Sequence, residues 1–270
     1  MKFTVFGSQG FIGSHLTRSV IESGHECSTP ERGDYDLDRE LGHVIWAVGL
    51  TADFRDRPID TVRAHVASPI DVVERGRFES FLYLSSTRVY AGAARGTEET
   101  TFSVDPTSLS DLYNISKLMG ESLCHASRRP NVRVARLSNV FGGDFESTNF
   151  LTSVIRDAVE KGEIVFSTAP DSAKDYISID DVVRALFDIT TRGRHPVYNV
   201  ASGINTSNAE IARELQTLTA CDVRFANDAP LVNFPSVSID RLQDEFEFQP
   251  VRLVDALPAL VRSFSAVSTQ

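Results

Sequence analysis

The chain is poor in cysteine, tryptophan and methionine, and it has no excess of positive charge. Its three cysteines, Cys27, Cys124 and Cys221, stand far apart. An odd, scattered set supplies no disulfide framework and fits reduced thiols in a cytoplasmic protein. The six histidines, at 15, 25, 43, 65, 125 and 195, form no His-Glu-x-x-His cluster, and the cysteines form no Cys-x-x-Cys pair. Cys124 and His125 adjoin, but on a helix neighbouring side chains point about 100° apart. The spacing therefore predicts no metal site. No apolar run reaches the roughly 18 residues that a membrane span needs. The opening residues run straight into a strand and lack a signal-peptide layout. Twenty-seven basic against 37 acidic residues leave a net charge of −10, which argues against a nucleic-acid surface. An anionic ligand would need a local basic patch set against that field. Within these limits, 270 residues, 41% apolar and 24% charged, suit one large α/β domain, alone or with a small lobe.

What is present is concentrated at the N-terminus. Met1 to Phe6 reads as a short strand, and Gly7-Ser8-Gln9-Gly10-Phe11-Ile12-Gly13 follows directly. A helical pattern begins at Ser14. A glycine-rich turn between a strand and a helix lets a backbone approach a dinucleotide pyrophosphate, and the helix N-terminus offers it free N–H groups. The spacing is G-x-x-G-x-x-G rather than G-x-G-x-x-G.

Strands and helices then alternate. The pattern predicts a helix over Ser14–Ser23 ended by Gly24, a strand over His25–Thr29, and a buried strand at His43–Val48. Val62, Val66, Ile70 and Val73 place a helix over Ile59–Arg75. Phe81–Leu84 is a strand, Leu109–Ser127 a helix, and Val132–Leu137 a strand. Helices follow at Asn149–Lys161, Ile179–Thr191, Ser207–Leu218 and Val254–Phe264, with short strands at Ile164–Phe166 and Val197–Val200. Ser207 with Glu210 has the form of a capping box. Strands separated by helices imply a doubly wound parallel sheet with right-handed crossovers. Residues 1–142, with parts of 175–200, are read as the dinucleotide-binding domain, and 143–270 mainly as a substrate-binding lobe over the strand ends.

A second constellation is Ser86 with Tyr113 and Lys117. Tyr113-Asn114-Ile115-Ser116-Lys117 is Y-x-x-x-K on the predicted helix, so both side chains share one face, about 40° apart. A free tyrosine titrates near about 10 and is a poor base at neutral pH. A nearby ammonium favours the phenolate. Tyr113 could then exchange a proton with a substrate oxygen while a nicotinamide handles the hydride. Ser86, at a strand end, could hydrogen-bond the same oxygen.

In these pieces the chain resembles the extended short-chain dehydrogenases/reductases, specifically the NAD-dependent epimerase/dehydratase family acting on nucleotide sugars. The matching segments run in order along almost the whole chain: Gly7–His15, Phe81–Tyr90, Tyr113–Glu121, Val134–Gly142, Lys174–Val182, Tyr198–Gly203 and Phe246–Pro250. The resemblance implies an α/β, Rossmann-like sheet with a smaller C-terminal α/β lobe. It implies Tyr113 as acid/base, Lys117 as its tuner and ribose anchor, and Ser86 as the group polarising the reacting oxygen. Gly7, Gln9, Gly10, Phe11, Ile12 and Gly13 would cradle the pyrophosphate, with Val48 and Gly49 also at the cofactor. Glu31 falls where the family carries an acidic residue for the adenine ribose, and Asp36 with Leu37 would flank the adenine. Thr87, Asn139, Asn149 and Lys174 would face substrate.

Four departures from the family pattern sharpen the reading. Arg32 follows Glu31. The carboxylate favours NAD and the guanidinium would welcome the extra phosphate of NADP, so NAD is favoured only slightly. The stretch from Glu31 to Val44 is too short for the usual helix and strand, which implies a trimmed adenine edge. Lys174 stands where arginine is frequent, and lysine cannot grip a phosphate bidentately. Thr87-Arg88 replaces the Asp-Glu pair of the 4,6-dehydratases, which disfavours elimination of water. The expectation is an NAD(P)-dependent nucleotide-sugar reductase or epimerase, cytoplasmic and homodimeric through the helices at Ile59–Arg75 and Leu109–Ser127, without nucleic-acid or membrane partners. The alternative is a non-catalytic NAD(P)-binding sensor or scaffold of the same fold.

Overall fold

The computed structural model describes residues 1–33, 35–50 and 53–268. Its centre is a six-stranded, wholly parallel sheet. The strands are β1 (Lys2–Phe6), β2 (Glu26–Ser28), β3 (Glu40–Trp46), β4 (Arg77–Ser86), β5 (Val132–Leu137) and a strand at Val197–Val200. They lie in the order β2-β1-β3-β4-β5, with Val197–Val200 last. β3 buries Leu41, Val44, Ile45 and Trp46, as expected of a strand covered on both faces. Register brings the strand ends level: Phe6 faces Trp46, Ser86 faces Leu137, and Leu137 faces Val200. Chain order reverses between β1 and β3, so the loops after them part and leave a crevice. β2 is the edge strand beside β1. Among the described residues no helix or further strand stands between β2 and β3, in line with the short Glu31–Val44 stretch.

Helix α1 (Phe11–Glu22) follows β1, and Gly24 ends it in the left-handed region at φ +76°. The expected single helix over Ile59–Arg75 is broken into α2 (Pro58–Val62), a wide π turn (Arg63–Ala67) and α3 (Ile70–Arg75). Pro69 accounts for the break, because it has no N–H to give to a carbonyl one turn back. The stripe drawn from sequence also fails there. Val62 and Ile70 are exposed, and Thr61, Ala64, His65 and Val72 are buried in their place, together with Val73. Helix α4 (Asp111–Ala126) packs against β4 and β5.

The remaining elements are β6 (Asn139–Phe141), α5 (Phe150–Arg156) with a π turn (Asp157–Lys161), β7 (Glu163–Phe166), β8 (Ala173–Ser178) and α6 (Ile179–Arg192). The sheet strand Val197–Val200 is β9, followed by β10 (Asn205–Ser207), α7 (Asn208–Thr219), β11 (Asp222–Phe225), α8 (Asp240–Phe246) and α9 (Leu253–Ser268). Ser178 caps α6, and Ser207 with Glu210 forms the capping box of α7. β10, β8 and β6 make a small mixed sheet, and β11 pairs with β7. These segments share a second apolar cluster, with Phe141, Leu151, Ile164, Tyr176, Ile211, Leu257 and Phe264 in it. No helix among the described residues is long and apolar enough to cross a membrane.

Candidate active site

A cavity of about 610 Å³ opens at the C-terminal ends of the central strands. Gly10–Gly13 from the first loop, Ala47–Gly49 after β3, Leu84–Arg88, Tyr113 and Lys117 line one side. Asn139, Asn149, Lys174 and Phe234 line the other.

The glycine loop is shaped by contacts that leave no room for side chains. Gly7 sits at φ +82°, and a Cβ there would lie 2.7 Å from the Ala47 carbonyl oxygen. A Cβ on Gly13 would collide with the Gly7 carbonyl, so α1 can start this close to β1 only with glycine. Gly10 caps α1 with backbone alone, and the first turn carries no acidic residue. The N–H groups at this terminus therefore meet no internal anion, and they border the cavity. A dinucleotide pyrophosphate fits this donor set.

Ser86, Tyr113 and Lys117 converge. Ser86 ends β4, and its Oγ accepts the Arg88 N–H at 3.2 Å. Its own proton is thus free for the Tyr113 phenol, with which it hydrogen-bonds. Tyr113 is 4% exposed, and burial pushes its pKa up to about 12, opposed by the Ser86 hydrogen bond and the Arg88 charge. Lys117 donates to the Leu84 carbonyl at 2.9 Å, and its Nζ lies 5.9 Å from the centre of the Tyr113 ring. Burial lowers its pKa to about 7, with Glu121 acting the other way. In this geometry the Ser86 hydrogen bond and the Arg88 charge work against the rise in the phenol's pKa. Lys117 is itself only partly charged near neutrality, because it is as deeply buried as the phenol.

Under this trio runs a buried polar network. Arg136 on β5 grips Glu121 on α4 through Nε to Oε1 at 3.0 Å and Nη2 to Oε2 at 2.6 Å. Ser85 donates to Glu121 at 2.5 Å, and Arg136 also donates to the Tyr90 hydroxyl at 2.7 Å. The pair clamps α4 to β4 and β5, and so fixes where Tyr113 and Lys117 stand.

Two residues at the site escaped the sequence reading. His65 is fully buried beside Tyr113 and Lys117. Ser116 spends its hydroxyl proton on the Tyr113 carbonyl at 2.8 Å, so His65 Nδ1, 2.8 Å from the Ser116 oxygen, must be the donor. Its Nε2 is left as a lone pair facing the Leu50 N–H at 3.4 Å. Burial, aided by the Lys117 charge, lowers its pKa to about 2. Arg88 is the second, placed by a single 3-10 turn (Thr87–Tyr90) after Ser86. His65 had no local signal; Arg88 was visible as a departure from the family pattern after Ser86, but its place in the cavity comes only through the fold.

The other predicted positions are mixed. Thr87, Val48 and Gly49 line the cavity. Asn139 lines it too, but its amide donates to the Asp175 carbonyl at 2.7 Å and so braces β6 on β8. Asn149 caps α5 by accepting the Thr152 N–H at 2.9 Å. Lys174 Nζ lies 5.4 Å from the centre of the Phe150 ring, and burial together with the Arg88 charge lowers its pKa. Gly7 and Gln9 belong to the loop behind the cavity lining. Glu31, Arg32 and Asp36 are exposed beyond β2, and half-buried Leu37 packs on the core near Trp46. None of these four is among the described residues that line the cavity. Among the described residues no group of three or more His, Cys, Asp or Glu is placed to hold a metal.

The chain is similar to proteins of known activity and to solved structures. The chain is 28% identical over 258 residues to the dTDP-glucose 4,6-dehydratase of Streptomyces griseus, covering 90% of this chain and 77% of that one. It is 26% identical over 309 residues to the dTDP-4-dehydro-6-deoxy-D-allose reductase of Streptomyces bikiniensis, covering 96% and 95%. Among solved structures, MoeE5 in complex with UDP-glucose and NAD superposes with a TM-score of 0.83 at 20% identity, over the full length of both chains. RMD from Pseudomonas aeruginosa complexed with NADPH gives a TM-score of 0.78 at 24% identity, covering 98% of this chain and all of that one. At these identities the superpositions show the shared fold. A sequence model of the NAD dependent epimerase/dehydratase family matches residues 3–201, and the chain belongs to that family.

Proposed function

We propose that the chain is an NAD(P)-dependent oxidoreductase acting on a nucleoside-diphosphate sugar, as a keto-sugar reductase or an epimerase. The observation that carries this is the meeting of the Ser86 hydroxyl, the Tyr113 phenol and the Lys117 amine in one cavity, into which the bare N-terminus of α1 also opens. The named activities of the two relatives, both on dTDP sugars, support the substrate class.

When bound, the nicotinamide supplies or removes the hydride; the chain's own groups do the rest. The α1 terminus and Gly10–Gly13 hold the pyrophosphate, and Lys117 is placed for the adjoining ribose. With substrate bound, Ser86 turns its one proton from the phenol to the substrate oxygen, and Tyr113 passes that oxygen a proton or takes one. A phenol held near about 12 is protonated at neutral pH, and ketone reduction draws on that form. Epimerisation uses both protonation states in turn. Elimination of water is not part of the reading, because Thr87 and Arg88 follow Ser86 where an acid and a base would be needed. Lys174 is the cation for the substrate diphosphate, with Asn139 and Asn149 at its edges. Glu31 favours NAD and Arg32 leaves NADP admissible. Exposed apolar residues on α2, α3 and α4, namely Ile59, Val62, Ile70 and Met119, form the seam of a homodimer in this reading.

The test is a melting-temperature screen with NAD or NADP, each alone and then with uridine, thymidine, guanosine and cytidine diphosphate sugars, followed by absorbance of reduced nicotinamide. The proposal expects stabilisation by a dinucleotide, further stabilisation by a nucleotide sugar, and a change in nicotinamide oxidation state with it. Binding of neither dinucleotide would refute it.

A further inference from the structure

The cavity holds a cation that, among the described residues, has no anionic partner of its own. Arg88 is partly buried, with its Cζ 6.0 Å from the centre of the Tyr113 ring and 5.5 Å from that of Phe54. Its Nε is buried, and among the described residues it has no hydrogen-bond partner. No carboxylate among the described residues lies within ion-pair distance of its guanidinium. Asp111 and the Tyr113 phenol act on it only at longer range. The groups nearest in sign are repulsive: Arg55, stacked 4.5 Å from the centre of the same Phe54 ring, and Lys174 across the cavity. Burying an unpaired guanidinium between two like charges is costly. The cost is removed when a ligand brings the missing anion.

We propose that Arg88 selects a sugar bearing a carboxylate next to the reacting carbon, so that the substrate is a nucleoside-diphosphate-linked sugar acid. This deepens the oxidoreductase reading and rests on it. The substrate's diphosphate is an anion too, but Lys174, with Asn149 and Phe150, is placed for it on the other wall. Arg88 is beside the phenol, where the reacting carbon must sit. Two cations that repel each other across one cavity suit two separate anions. A planar guanidinium grips a carboxylate through two parallel N–H donors, and a hydroxymethyl group in its place would leave the charge unmet.

The test uses matched pairs that differ only in that substituent: UDP-glucuronic acid against UDP-glucose, and dTDP-glucuronic acid against dTDP-glucose. Each is titrated calorimetrically into the protein saturated with NAD or NADP. The wild-type protein binds the acid about tenfold or more tightly than its neutral partner in at least one series. Arg88→Met abolishes that preference while dinucleotide affinity holds, and Arg88→Lys keeps part of it. Equal or better binding of the neutral sugar by wild type overturns the inference. So does an Arg88→Met loss shared equally by both members, which would assign Arg88 to the diphosphate. Binding of no member in either series, with NAD(P) bound, overturns it also. Failure of both dinucleotides to bind instead defeats the oxidoreductase reading itself.

Discussion

Replacing Arg136 by methionine removes one half of the clamp under the active site. The change leaves Glu121 as a buried carboxylate, its side chain 4% exposed, with the Ser85 hydroxyl as its remaining donor. It deletes the two-pronged grip at 3.0 and 2.6 Å and the bond to Tyr90 at 2.7 Å. Breaking a buried pair from one side costs about 3–5 kcal/mol, mostly the penalty of the stranded charge. That is a large share of the roughly 5–15 kcal/mol that holds a domain of this kind together. Urea unfolding with linear extrapolation gives the difference directly. The double variant Glu121→Gln/Arg136→Met removes the charge together with its partner, while the new amide oxygen can still accept from Ser85. It is expected to recover about 2 kcal/mol of the loss, which a double-mutant cycle isolates. A single-variant loss under about 1 kcal/mol, or a double variant as unstable as the single one, would refute the reasoning.

Two other predictions concern different parts of the fold. His65 resists protonation down to about pH 2, whereas an unfolded histidine takes up a proton near about 6.5. Its folded pKa is depressed, so its contribution is complete above about 6.5 and is lost as pH falls toward 2. His65→Asn should therefore flatten the fall of unfolding free energy below about pH 6 by about 1.4 kcal/mol per unit, and parallel wild-type and variant curves would contradict this. Met119 is 53% exposed on α4, which packs against α2 and α3, where Ile59 and Ile70 are also exposed. Met119→Glu should turn the proposed dimer into a monomer in sedimentation velocity, and an unchanged sedimentation coefficient would dismiss this face as the seam.

The parts of the site that could be read from sequence are the ones built from neighbours in the chain. Gly7, Gly10 and Gly13 sit in one turn, and Tyr113 and Lys117 are one helical turn apart, so their geometry follows from local backbone rules. The capping box of α7 was legible for the same reason. β6, β8, β10 and β11 were not, because strands of three to six residues with mixed polarity carry no clear period of two. Pro69 was visible, yet the apolar spacing around it outweighed it, and the exposed Val62 and Ile70 show that the spacing served a surface rather than the core. His65 reaches Lys117 only because the π turn lays it against α4. Arg88 owes its surroundings to Phe54 and Arg55, from the stretch before α2, and to Lys174 on β8. The Tyr113 pKa likewise could not be foreseen, because it is dominated by a burial that only the fold creates.

The central claim is that Tyr113 moves the substrate proton. The direct measurement is the turnover of Tyr113→Phe on whichever nucleotide sugar wild type converts, with dinucleotide affinity measured alongside. The account predicts a fall in kcat of about a hundredfold or more, with affinity for NAD(P) within a few-fold of wild type. A variant that keeps wild-type kcat would contradict it.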